Sequence, residues 1–224
     1  MSTHPDPRAA AWQPPDATEA TGDDIPGALG GSRLFEQPRY HTEVARFEAF
    51  IAAPGPVAVE IGFDHGRRLL ALAEADPAAR WIGLEVRRAR VDALAALAPS
   101  NLLPWRADAR TVFRRLVPPG RLARVDVWFP TPWWHDRKRA ERLLLTPPFL
   151  TDLARALAPA GLFCVATDVA PYFEHLQTLL AGWHPAPLPP PAPAWSRREV
   201  TCHREGIPVH RGAWHPPASH QEQP

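Results

Sequence analysis

Along the middle of the chain, short apolar runs alternate with stretches whose apolar positions recur every three or four residues. The first such stretch, His41 to Ala52, sets Val44, Ala45, Phe47 and Ile51 at helical spacing with Glu43, Arg46 and Glu48 between them. That spacing predicts an amphipathic helix, ended by Pro54 to Pro56. The apolar runs that follow are Val57–Ile61, Trp81–Leu84, Asn101–Trp105, Val125–Phe129 and Leu162–Ala166. Helical patterns lie near 67–75, 89–98, 109–117, 147–157 and 171–181. Thr146 followed by Pro147 reads as an N-cap and a first helical position. Gly161, after Leu157 to Ala160, reads as the end of that helix. Strands alternating with helices predict parallel βαβ units with right-handed crossovers. Runs this apolar predict a sheet covered on both faces.

The pattern changes at His184. Residues 185–194 are mostly proline and predict an extended connector. Beyond it, Trp195–Arg204 and Ile207–Trp214 flank Glu205-Gly206, a hairpin-like turn signal. The expected architecture is therefore α/β and Rossmann-like, a mostly parallel sheet carrying a C-terminal antiparallel hairpin. At 224 residues the chain suffices for one well-buried core and not for two ordinary domains. We place that domain at 33–214, with a frayed end over 215–224. Residues 1–32 lack periodicity and predict a disordered tail.

Charge adds little. The chain carries +1, and residues 1–32 hold Arg8 against Asp6, Asp16, Glu19, Asp23 and Asp24, which leaves +5 for the remainder. Mild basicity is compatible with a polyanionic substrate. Lys138 is the only lysine, so arginine abundance reflects a general compositional bias and is not itself a nucleic-acid signal. Cys164 and Cys202 give neither metal-ligand spacing nor a disulfide framework. The sequence contains no secretory signal pattern and no apolar run of the roughly 18 residues that span a membrane. The expectation is a cytoplasmic, monomeric protein without a metal.

The candidate chemistry lies at three strand ends. Glu60-Ile61-Gly62-Phe63-Asp64-His65-Gly66 closes the first strand directly before a helix. Glycines there let backbone approach a ligand at the positive helix end. Glu85 closes the second strand, near the spacing at which an acid holds ribose hydroxyls. Asp108 follows the third. Each acid could merely cap the next helix, but three successive strands ending this way favour a nucleoside site at the carboxyl edge of the sheet. The turn lacks the full dinucleotide glycine pattern, and the Asp64 carboxylate would repel a pyrophosphate. A cationic sulfonium ligand suits it better.

Val59-Glu60-Ile61-Gly62-Phe63, Ile82-Gly83-Leu84-Glu85-Val86-Arg87 and Phe129-Pro130-Thr131-Pro132-Trp133 resemble the bacterial tRNA (guanine-N7)-methyltransferase family. So do Ala166-Thr167-Asp168 with Pro171-Tyr172, and the segment from Ser196 to Trp214. These occur in family order across residues 35 to 214. The resemblance implies a class I methyltransferase fold, S-adenosylmethionine as cofactor and tRNA as partner. It implies that Glu60, Gly62, Glu85, Arg87, Asp108 and Ala109 line the cofactor site, and that Asp168, Ser196 and Glu199 contact the target nucleoside. Asp168 as a helix cap and Glu199 as a solvated strand residue are the plainer alternatives.

Three departures from the family fall at functional places. Asp64 replaces a glycine of the turn. Thr131 stands where the family has an aspartate beside the transferred methyl, and His135 where a lysine contacts substrate. The following basic loop, Asp136 to Arg142, carries Asp136 and Glu141 among its four basic residues, so its phosphate grip is diluted. Trp128, Phe129, Trp133 and Trp134 cluster beside that loop and suit stacking on an unpaired base, unless the first two are simply buried strand residues. The departures keep two further readings open: a paralogue with the same cofactor and another substrate, or a non-catalytic S-adenosylmethionine- or RNA-binding protein.

Overall fold

The computed structural model describes residues 38–131 and 143–218. Chain order runs α1 (Pro38–Ala52), β1 (Val57–Ile61), α2 (Arg67–Ala75), β2 (Arg80–Glu85), α3 (Arg88–Ala95), β3 (Leu102–Arg106), α4 (Ala109–Arg115) and β4 (Leu122–Trp128). It continues through α5 (Pro147–Ala156), β5 (Leu157–Thr167), α6 (Ala170–Leu179), β6 (His184–Ala186), α7 (Arg197–Glu205) and β7 (His210–His215). One sheet holds all seven strands in the order β3-β2-β1-β4-β5-β7-β6. The first five pair in parallel, whereas β7 runs antiparallel to both β5 and β6. The Rossmann-like, mostly parallel sheet with an antiparallel C-terminal end is thus the observed fold.

Period-two alternation distributes the core. Val57, Val59 and Ile61 of β1 join Phe47 and Ile51 of α1, Val112 and Phe113 of α4, and Phe149, Leu150 and Leu153 of α5 in one large cluster. Ala58, on the opposite face, belongs with Leu69, Leu72, Val91 and Leu94 of α2 and α3. Arg121 reaches back to α1, donating to the carbonyls of Ile51 and Ala53 at 2.7 Å and so satisfying the helix end before β1.

Three expectations are corrected. Trp195–Arg204 and Ile207–Trp214 do not form a hairpin about Glu205-Gly206. Ser196 caps a helix there: its side chain accepts from Glu199 N, and the Glu199 carboxylate accepts from Ser196 N. Gly206, at φ +66°, ends that helix in the left-handed conformation that suits glycine. The antiparallel partners of β7 are β6, on the other side of α7, and β5. Gly161 does not close a helix either. It lies inside β5, which begins at Leu157 because the α5 backbone turns extended at that residue. The expected C-terminal boundary at 214 shifts as well: His215 ends β7 with its Nδ1 2.9 Å from Gly161 O, Pro216 is buried, and residues 219–224 lie outside the described residues. Residues 1–32 lie outside the described residues.

The Gly161 contacts make a prediction. A Cβ there would sit 2.8 Å from both Ala158 O and Leu122 O, backbone atoms that cannot rotate away, whereas one at Gly182 would meet nothing within 4 Å. Gly161→Ala should cost about 1–3 kcal/mol by overpacking, and Gly182→Ala should stay within about 0.5 kcal/mol. Urea denaturation midpoints of the two variants check this.

Candidate functional site

At the middle of the sheet β1 has β2 on one side and β4 on the other. Ligands of open α/β sheets bind at the carboxyl ends of strands at such a switch point. The turn after β1 is built for close approach. Gly62 takes φ +74°, its N–H donates to Leu84 O at 2.7 Å, and open space surrounds the place where a Cβ would stand. Asp64 takes φ +50°, a left-handed conformation that aspartate tolerates better than most residues. Its carboxylate lies 2.8 Å from Arg87 Nη2 and 3.3 Å from Arg90 Nε, so the charge expected to repel anions is countered.

Glu85 stands at the tip of β2 and braces that turn. Its Oε1 accepts from the N–H groups of Val86 (2.9 Å) and Arg87 (3.0 Å), and its Oε2 from Asp64 N (3.2 Å). The exposed Arg87 side chain lies over the same carboxylate, with Nη2 3.1 Å from Oε2. Asp108, after β3, is the N-cap of α4. It accepts from Arg110 N at 2.9 Å and pairs with the Arg110 guanidinium at 2.7 Å, which places the buried Ala109 in the first turn. The capping role and an edge position therefore coexist in one side chain.

Glu60 behaves differently. It lies inside the sheet face beneath the turn, 2% exposed, with Oε2 accepting from Arg68 Nη1 at 2.7 Å. The second Arg68 nitrogen donates to Asp126 of β4 at 2.7 Å, and Arg124 holds both oxygens of Asp126. The Arg68 guanidinium also lies 3.9 Å from the centre of the Trp128 ring. Sequence reasoning missed Arg68, Arg124 and Asp126. Charged residues in an otherwise apolar strand and on the inner face of α2 were the available signal. Burial pushes the Glu60 carboxyl up to about 7, outweighing the attraction of Arg68. Burial also works against the Arg68 guanidinium, but Glu60 and Asp126 more than restore its charge.

On the other side of the edge, Asp168 accepts from Arg198 Nε at 3.1 Å, and Glu199 is buried with Oε1 accepting from Arg211 at 2.7 Å. Ser196 and Glu199 thus serve first as the capping box of α7. His65 joins the two sides: its ring nitrogens lie 2.8 Å from Arg90 Nη1 and 3.0 Å from Arg197 Nη1. Beyond β4, Phe129 is held at φ +52° with its N–H on Ala166 O (2.7 Å), and Thr131 is exposed. Trp133, Trp134, His135 and the basic loop to Arg142 lie outside the described residues. Cys164 and Cys202 are both buried and free. Among the described residues no helix is long and apolar enough to cross a membrane, and no acid–His–Cys group could hold a metal.

The buried network gives a pH prediction. Because the folded Glu60 pKa lies above its unfolded value of 4.5, the folded state holds the extra proton between them. The stability this group contributes is full below about 4.5 and is lost as pH rises through about 7. Relative to Glu60→Gln, the wild type should lose stability across that window by at most about 1.4 kcal/mol per pH unit and run parallel to the variant above pH 8. Chemical denaturation of both proteins from pH 5 to 8.5 measures the difference.

Known proteins share both the sequence and the fold. A family model described as "Putative methyltransferase" matches residues 54–185. The tRNA (guanine-N(7)-)-methyltransferase of Alcanivorax borkumensis is 33% identical over 177 residues, 75% of this chain and 73% of that protein. The enzyme of the same name from Hydrogenovibrio crunogenus is 36% identical over 140 residues, 61% of this chain and 58% of that one. Among solved structures, the aminoglycoside resistance methyltransferase NpmB1 matches with a TM-score of 0.54 at 17% identity, covering 77% of this chain and 93% of that one. The 16S rRNA methyltransferase KamB gives 0.54 at 21% identity, covering 77% and 94%. These two likenesses are ones of fold. The strand-tip turn, the acids around it and the sequence match across the sheet have one common account: this chain belongs to the tRNA (guanine-N(7)-)-methyltransferase family.

Proposed function

We propose that this chain transfers a methyl group from S-adenosylmethionine to N7 of a guanosine in tRNA, in the cytoplasm. The observation that carries the reading is the edge formed by the Gly62–Gly66 turn, Glu85 and Asp108 beside a switch point. The donor set fits the cofactor. Carboxylates only accept, and an adenosyl group offers ribose hydroxyls and an adenine amino group to them. Glu85 would hold the ribose once the exposed Arg87 side chain swings off its carboxylate. Asp108 and Ala109 would flank the base, and Gly62 would leave room for the methionine portion. Glu60 supports the site from beneath by fixing Arg68, β4 and the turn relative to one another.

When bound, the cofactor supplies a methyl group activated by its sulfonium. Guanine N7 carries a free lone pair at neutral pH, so no residue need remove a proton before attack. The work left to the protein is to hold, align and dry the reactants. Thr131 offers one neutral hydrogen bond at the place where the family has a carboxylate. Asp168, Ser196 and Glu199 border the substrate side through the α7 capping box, and His135 follows in the loop after Thr131.

Incubating the protein with labelled S-adenosylmethionine and unmodified tRNA, then identifying the nucleoside by mass spectrometry, should yield 7-methylguanosine. Thr131→Asp should raise that transfer roughly tenfold, because a charged acceptor bonds about twice as strongly as a neutral one. The exposed, uncharged Thr131 also supports a second reading, a changed substrate. Transfer to a small molecule or protein with tRNA inert, before and after Thr131→Asp, would establish that alternative. Glu85→Gln should weaken S-adenosylhomocysteine binding roughly tenfold or more by calorimetry, since hydrogen bonds to a charged acceptor are lost.

A further inference from the structure

The capping box already engages the two substrate-side residues that the family resemblance implies. Ser196 Oγ is taken by Glu199 N, and Glu199 by Ser196 N and Arg211. Asp168 is likewise taken by Arg198. The residue just before the box takes no part in these bonds and faces solvent. Trp195 is 42% exposed, the most exposed aromatic side chain among the described large apolar residues. Its ring is propped edge-to-face by His203 of α7 at 4.8 Å between centroids. Two residues on, the exposed Arg197 ties the start of α7 to the cofactor turn, with its guanidinium 3.0 Å from His65. An exposed indole backed by α7 and an exposed guanidinium at the first turn of that helix therefore stand two residues apart in the chain, the guanidinium in contact with the candidate cofactor turn.

We infer that Trp195 is a stacking platform for an unpaired base next to the target nucleotide, with Arg197 on the adjoining phosphate. This inference rests on the tRNA reading proposed above and names a surface for it. An exposed indole backed by a helix presents a π-face at low entropic cost, and every base has a face to stack on it. Guanidinium beside aromatic is the pairing that single-stranded RNA selects, because backbone and base are gripped together. A protein partner docking on this apolar spot would need only bulk. RNA needs the ring.

The test uses the full chain. In fluorescence anisotropy with labelled, unmodified tRNA and saturating S-adenosylhomocysteine, Trp195→Ala should weaken binding about 5- to 100-fold. Trp195→Phe should stay within about threefold of wild type, and Trp195→Leu should fail like alanine. In methyl-transfer assays the same order should appear in the tRNA KM while kcat and S-adenosylhomocysteine affinity hold steady. A thermal melt separates folding from binding, since Trp195 is exposed and Trp195→Ala should melt with the wild type. Equal tRNA affinity for wild type and Trp195→Ala, or full retention by Trp195→Leu, overturns the platform; if the wild type still methylates tRNA, the functional reading stands without it. A wild type that neither binds nor methylates tRNA overturns that reading, and the platform with it.

Discussion

A buried line of alternating charge, Arg124–Asp126–Arg68–Glu60, pins the strand-tip turn to the sheet. It joins β4 to α2 and α2 to β1, and every link is 2.9 Å or shorter. With Glu60 ionised, two carboxylates and two guanidiniums balance, while any single member alone would be a stranded charge in a dry interior. Such a line adds little stability over apolar packing, but it specifies geometry. Arg68 can satisfy both acids only when α2 starts directly beneath the turn and β1 and β4 lie in register, as Glu60 opposite Asp126 does. The stacking of Arg68 on Trp128 extends the constraint to the end of β4, from which the Phe129–Thr131 segment departs.

Side chains of the edge above that line hold backbone, and under the proposed function they would serve a ligand as well. Asp108 caps α4, Glu85 braces the turn, and Ser196 with Glu199 closes the first turn of α7. This is economical rather than contradictory. A carboxylate that accepts backbone N–H groups is already held in one rotamer, and a held acceptor binds a ligand without further ordering. The arginines over these acids are the more exposed partners. The Arg87 side chain is 54% exposed against 4% for Glu85, so solvent reaches the cation and not the acid.

The antiparallel end of the sheet shows where local reading failed and why. Ser196 and Glu199 stand at capping-box spacing and Gly206 follows at a helix-ending position, so the signal for α7 was present in the sequence. Glu205-Gly206 reads as a hairpin turn because it stands between the segments Trp195–Arg204 and Ile207–Trp214, and a Gly-containing pair between two segments suits either structure. Gly161 misled in the same manner: glycine marks close backbone approach within a strand as readily as a helix end.

The sequence by itself determined the parallel strands, their order of appearance, the helices between them and the acids at their tips. All of these are set by short-range periodicity and by residues a few positions apart. It also carried the family resemblance, which is a property of local motifs in order. Tertiary structure alone decided that Glu60 faces Arg68 beneath the turn instead of the edge, that Arg68 reaches Asp126 58 positions away, and that His65 meets Arg197 across 132 positions. Partner choice among charges depends on which strands become neighbours. Strand adjacency follows from packing the whole sheet, and no local pattern encodes it.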